Sequence, residues 1–172
     1  MKMFNKIRVA AATLGLAFAP SMFAVTDSAT TTLGVNVGEE ATITVTASPT
    51  LAKGGTEFEA YTGNTTFTYK VRTTQTTGSG TVTARVTTAF AVGSGITTAD
   101  LSHVASTGGV GSPNTTPTVA DEVTATNILT FGADAHSADG ADTGTIAWTL
   151  ADRPAYKIGS YSTVVTLTIA AL

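Results

Sequence analysis

From Gly159 to Leu172 the chain alternates: Tyr161, Thr163, Val165, Leu167 and Ile169 fall on one face of an extended backbone, and Ser162, Val164, Thr166 and Thr168 on the other. The period of two predicts a strand over this stretch. Its odd face is apolar enough to require cover from a second layer, which restricts the chain to an architecture of packed sheets. At about 1.5–3 kcal/mol per fully buried large side chain, the face is expected to be a main contributor to the core, with Leu167 at its centre.

Similar runs recur along the chain. Leu33, Val35 and Val37 alternate within Thr30 to Val37, and Ala41, Ile43, Val45 and Ala47 within Glu40 to Ala47. With Gly38-Glu39 between them, the two runs read as a hairpin or as one long strand kinked at Gly38. Ser48-Pro49 and Lys53-Gly54-Gly55 mark turns, Phe58 and Ala60 define a short strand, and Thr62-Gly63-Asn64 reads as a further turn. Phe67, Tyr69 and Val71 then point one way while Thr66, Thr68, Lys70 and Arg72 point the other. Beyond Thr76 to Gly80, Val82, Ala84, Val86, Thr88 and Phe90 alternate with Thr81, Thr83, Arg85 and Thr87, so these two runs are expected to pair as a hairpin. Glycines and prolines interrupt the pattern from Ala91 to Asp121, where only Leu101 to Ala105 is strand-like. Extended structure resumes over Glu122 to Phe131 and again at Ile146, Trp148 and Leu150, with Trp148 expected in the core.

Threonine makes up roughly a quarter of the residues after position 24, and on the wet face of a strand it keeps β-propensity without exposing an apolar side chain. Good helix formers are scarce. The expected fold is therefore all-β, an immunoglobulin-like antiparallel β-sandwich of about seven to nine strands.

The N-terminus belongs to a different argument. Lys2, Lys6 and Arg8 precede an apolar run from Val9 to Ala19, and Pro20-Ser21-Met22-Phe23-Ala24 leads to a small residue. This succession predicts a cleaved secretory signal over 1–24, since the run is about half of the roughly 20 residues that a bilayer requires. The remainder, 25–172, is expected to form one domain with an N-terminal strand arm at 25–37. Loss of Lys2, Lys6 and Arg8 leaves six basic against twelve acidic side chains, a formal charge of −6. That balance argues against a nucleic-acid partner and against anionic lipid, and no stable membrane span is expected after cleavage. The chain has no cysteine, so an exported domain of this length is expected to hold together by burial alone.

The segment Tyr161-Ser162-Thr163-Val164-Val165-Thr166-Leu167-Thr168-Ile169 resembles the last strand of secreted bacterial immunoglobulin-like sandwiches. With Gly159 fourteenth from the C-terminus, it is similar to small exported subunits of the spore-coat-U and pilin type. Two features depart from that pattern: Ala171 stands where pilins usually carry an aromatic residue, and the usual cysteine pair is absent. The resemblance implies a structural protein at the cell surface that associates with itself or with other surface proteins.

Chemistry-bearing groups are few. Asp134, Asp139 and Asp142, with His136 and flexible glycines, offer the hard oxygen ligands that suit Ca²⁺, but their spacing is not that of an EF-hand and an ordinary turn uses the same residues. His103 and His136 are the only histidines, and neither lies beside a nucleophile elbow, so no catalytic residue and no cofactor is expected. Lys70, Arg72 and Arg85 are read as lining one polar sheet face. Tyr69 and Tyr161 fall on apolar faces, which favours packing over sugar stacking.

The function expected from the sequence is that of an exported, non-catalytic subunit of an extracellular filament, coat or matrix. A secreted carbohydrate- or protein-binding adhesion module is the alternative. Assembly is assigned to Leu33, Val35 and Val37 with Val165, Leu167 and Ile169, through two open routes: the first run pairs with the last strand of its own domain, or it crosses to a neighbour as an added strand.

Overall fold

The alternating runs become strands in the computed structural model, which describes residues 28–172. Within Asn36–Leu172, ten antiparallel strands form two sheets: β1 (Glu40–Ala47), β2 (Ala52–Lys53), β3 (Tyr61–Arg72), β4 (Gly80–Thr88), β5 (Leu101–Thr107), β6 (Ser112–Pro113), β7 (Thr118–Val119), β8 (Thr126–Phe131), β9 (Asp142–Leu150) and β10 (Val164–Ala171). One sheet runs β1-β3-β9-β5-β7, with β2 added to the start of β3, and the other runs β10-β4-β8-β6. A single 3-10 turn, Thr98–Asp100, precedes β5. The fold is an all-β sandwich, as the sequence indicates. The expected signal over 1–24 and a chain start at Val25 lie outside the described residues.

The core lies between the inner faces of the central strands. Phe67, Tyr69 and Val71 of β3 and Ile146, Trp148 and Leu150 of β9 meet Val82, Ala84 and Val86 of β4, all of them buried. β8 contributes Ile128, Leu129 and Phe131. Two consecutive residues face inward there because the register slips: Val82 pairs with Leu129 and Thr83 with Asn127, which leaves Ile128 as the extra residue of a bulge. Gly144 pairs with Phe67, and a Cβ at Gly144 would strike the phenyl ring, so the aromatic lies flat over bare backbone.

Several expectations are corrected. β3 and β4 do not form a hairpin, because the chain changes sheets between them: the Thr73 N–H donates to Ala135 O at 2.9 Å and its hydroxyl to Gly132 O at 2.7 Å, anchoring the crossing to another loop. Thr62-Gly63-Asn64 is not a turn but part of β3, where Gly63 leaves space for Pro49 and Leu51. Phe58 lies in a turn instead of a strand. Residues 28–39 contain no strand, so Thr30 to Val37 forms neither half of a hairpin nor the start of β1.

The last strand also sits elsewhere than expected. β10 begins at Val164, which leaves Tyr161 in a loop, and it lies at the edge of its sheet. Val165, Leu167 and Ile169 face inward but are only half-buried, so they are satellites of the core and not its centre.

Candidate assembly site

Of the sheet-ending strands among the described residues, β1 and β10 flank one side of the sandwich, and the two-residue strands β7 and β6 end the sheets on the other. β10 pairs with β4 alone and β1 with β3 alone; each ends its sheet, and the two approach one another without pairing. The β10–β4 register sets Val165 against Val86, Leu167 against Ala84 and Ile169 against Val82. Alternation therefore aims Val165, Leu167 and Ile169 into the sandwich, where with Ala41 and Ile43 of β1 they are half-buried against the core. Val45 of β1 is exposed.

The free edge of β10 lacks the devices that normally block strand addition. Val164–Ala171 contains no charged residue and no proline, and its outward side chains are Val164, Thr166, Thr168 and Ala170. The bulge at Val164/Val165 lies at its first residue, leaving the following seven regular. Thr163 Oγ1 donates to Thr88 O at 2.7 Å, and the Thr87 and Thr166 hydroxyls lie 3.0 Å apart, so one side of β10 is held to β4 while the other pairs with no strand among the described residues. β1 carries a charge only at Glu40, which pairs with Arg72 at 3.0 Å.

Leu33, Val35 and Val37 are 91%, 86% and 60% exposed. They keep the alternation of a strand without a strand's pairing, and β10 has no partner besides β4 among the described residues.

The other candidate residues separate. Asp134 adopts φ 55° and lies 3.7 Å from His136 Nδ1; Asp142 accepts from Ser137 Oγ at 2.6 Å; Asp139 meets Lys70 Nζ through its backbone oxygen. These carboxylates form no group of three metal-competent side chains among the described residues. Lys70 and Arg72 lie on one sheet and Arg85 on the other, so they do not share a face. His103 is buried against Trp148, with ring centroids 5.1 Å apart; Nε2 lies 3.4 Å from Thr126 Oγ1, and Nδ1 has no hydrogen-bond partner among the described residues. Burial pushes the His103 pKa below its ordinary value. No helix among the described residues is long and apolar enough to cross a membrane.

Comparison of the chain with protein-family models, curated proteins and solved structures finds no match.

Sequence reasoning assigned Val165, Leu167 and Ile169 but missed Ala41, Ile43 and Val45 of β1. The signal was present in their alternation. What the sequence lacks is the sheet order that sets β1 beside β10.

Proposed function

We propose that the protein is an exported, non-catalytic structural subunit of an extracellular filament, coat or matrix, whose copies join by β-strand addition. The observation that carries the reading is the free edge of β10, a regular, uncharged and proline-free strand whose inward side chains are half-covered. An edge of this kind accepts an extended segment through main-chain hydrogen bonds, while alternate side chains of the incoming segment fill the apolar gap. Leu33, Val35 and Val37 supply that alternation in every copy, with the same two-residue spacing as Val165, Leu167 and Ile169. Export is supported by the basic, apolar and small-residue succession over 1–24, and the last strand resembles that of spore-coat-U and pilin-type subunits.

Electron microscopy of the exported protein tests this function. Fibres or sheets of regular repeat are expected, and particles of single-domain size alone at native concentration contradict it.

A second reading, a secreted adhesion module, is favoured by a separate observation at one end of the sandwich.

A further inference from the structure

Four large apolar side chains stand out from four different loops: Phe58 is 60% exposed, Val92 105%, Val123 85% and Ile158 104%. The topology puts all four loops at one end of the sandwich. Lys53 and Tyr61 pair on either side of the Phe58 turn; β4 stops at Thr88 before the Val92 loop; β8 starts at Thr126, opposite Ala84, after the Val123 loop; and β9 stops at Leu150, opposite both Tyr61 and Leu101, before the Ile158 loop. Isolated exposed apolar residues are ordinary on a protein surface. Four on neighbouring loop tips are a concentrated display.

These loops are braced against one another. Lys53 bridges the first and last loops by pairing with Asp152 at 2.6 Å, and its Nζ lies 5.8 Å from the Phe58 ring centroid. Arg153 pairs with the buried Asp100 at 2.7 Å, and the Lys157 N–H donates to Ser94 O at 2.9 Å, which sets Ile158 next to the Val92 loop. The Thr98 hydroxyl meets Glu122 at 3.3 Å, and the Val86 N–H donates to Asp121 O at 2.9 Å, tying in the Val123 loop. The tips are therefore held in fixed relative positions, which lowers the ordering cost of binding.

Phe58 adds an independent sign. Its φ of 55° places a bulky non-glycine residue in the left-handed region, a strained conformation, and the result is an aromatic ring held largely in solvent. Strain of this kind concentrates at binding and switch sites.

Charge decides the partner. The four loops, 48–60, 89–100, 120–125 and 151–163, hold three basic side chains, Lys53, Arg153 and Lys157, against six acidic ones, Glu57, Glu59, Asp100, Asp121, Glu122 and Asp152, a net of −3. Lys53 and Arg153 are engaged with Asp152 and Asp100. Glu57, Glu59, Asp121 and Glu122 have no ion-pair partner among the described residues, and Arg85, which lines one concavity with Val123, brings the net to −2. Such a surface repels anionic lipid and anionic polysaccharide and suits the opposite sign.

We propose that this end of the sandwich is a protein-docking platform, and that its partner is a protein surface with an apolar centre and a cationic rim. Phe58, Val92, Val123 and Ile158 enter the apolar centre, and the unpaired carboxylates meet the rim. Val123 shares a shallow concavity with Thr166 and Thr168 on the outward face of β10, so the platform adjoins that strand.

Binding of a synthetic peptide of alternating Lys and Leu to the full chain, followed by fluorescence anisotropy, tests the proposal. Saturable binding is expected that weakens as salt rises. At least tenfold loss is expected in a Val92→Ser/Ile158→Ser variant with an unchanged thermal midpoint. Phe58→Gly relieves the strained backbone, so it is expected to weaken binding while the thermal midpoint holds or rises; a merely structural Phe58 gives the reverse pattern. Equal binding of an alternating Lys-Ser peptide, equal binding of an alternating Glu-Leu peptide, preferential binding to phosphatidylcholine vesicles, or undiminished binding by the variants each overturns the proposal.

Discussion

Trp148 Nε1 donates a 2.8 Å hydrogen bond to Thr65 Oγ1 inside the sandwich, joining the single tryptophan on β9 to a buried hydroxyl on the neighbouring β3. Tryptophan brings a large apolar surface and one obligatory donor, and burying it leaves that donor dependent on a single partner. The same pair of strands sets Gly63 opposite Trp148, which leaves β3 without a side chain at that position.

Thr65→Val keeps the shape of the side chain and removes the acceptor. An unsatisfied buried N–H costs about 1–3 kcal/mol, so the urea midpoint is expected to fall with an unchanged denaturant slope. An unaltered midpoint would show that water or another acceptor satisfies Trp148.

Ile146 and Leu167 separate the centre of the core from its open edge. Ile146 is fully buried and Leu167 half-buried, so Ile146→Ala is expected to cost about 2–5 kcal/mol and Leu167→Ala distinctly less in the monomer. Equal losses by chemical denaturation would mean that β10 is covered in the monomer.

Gly144→Ala is expected to destabilise the fold severely, because the added methyl meets the Phe67 ring with paired strands on either side. Loss of cooperative thermal unfolding, or a large fall in its midpoint, checks this. Retention of the parental midpoint would show that Phe67 has another place to go.

Acid acts on two groups in turn. His103 has its pKa lowered by burial, so the unfolded chain takes up a proton first. Stability is complete above the ordinary value near 6.5, declines as pH falls below it, and levels off below the depressed folded value. Burial alone would raise Asp100, but the N–H and hydroxyl of Thr97, together with Arg153, hold its carboxyl below the usual value of 3.8. Its contribution is present above that value and is lost as pH falls through the lower, folded one. His103→Phe is expected to flatten the unfolding midpoint between pH 7 and pH 5, and a persisting slope would place the proton elsewhere.

The sandwich was legible in the alternation of Phe67, Tyr69 and Val71 and of Val82, Ala84 and Val86, because burial of one sheet face imposes a period of two. The same alternation carries no information on which sheet a strand joins, so β3 and β4 read as a hairpin although Thr73 anchors a crossing between layers. It cannot distinguish a central strand from an edge, and for that reason Leu167 read as core. Gly63 misled because a glycine that admits Pro49 and Leu51 looks, in one dimension, like a turn. Ile128 and Leu129 share a face through a register slip that arises only when β8 pairs with β4. Of the residues proposed for assembly, the alternation of Leu33, Val35 and Val37 was visible, but that they join no strand among the described residues is a property of the folded chain. Phe58 read as part of a short strand, and Val92, Val123 and Ile158 lay unremarked, because residues far apart in sequence become one surface only when the strand ends converge.

Strand addition is tested most directly by the mass of the assembled species. Light scattering during size-exclusion chromatography compares a chain beginning at Val25 with one beginning at Gly38, which lacks Leu33, Val35 and Val37. The account predicts concentration-dependent multimers of the longer chain, a folded monomer of the shorter one, and binding of a peptide spanning residues 28–39 to that monomer; a longer chain that stays monomeric at high concentration, or a shorter one that assembles equally well, would contradict it.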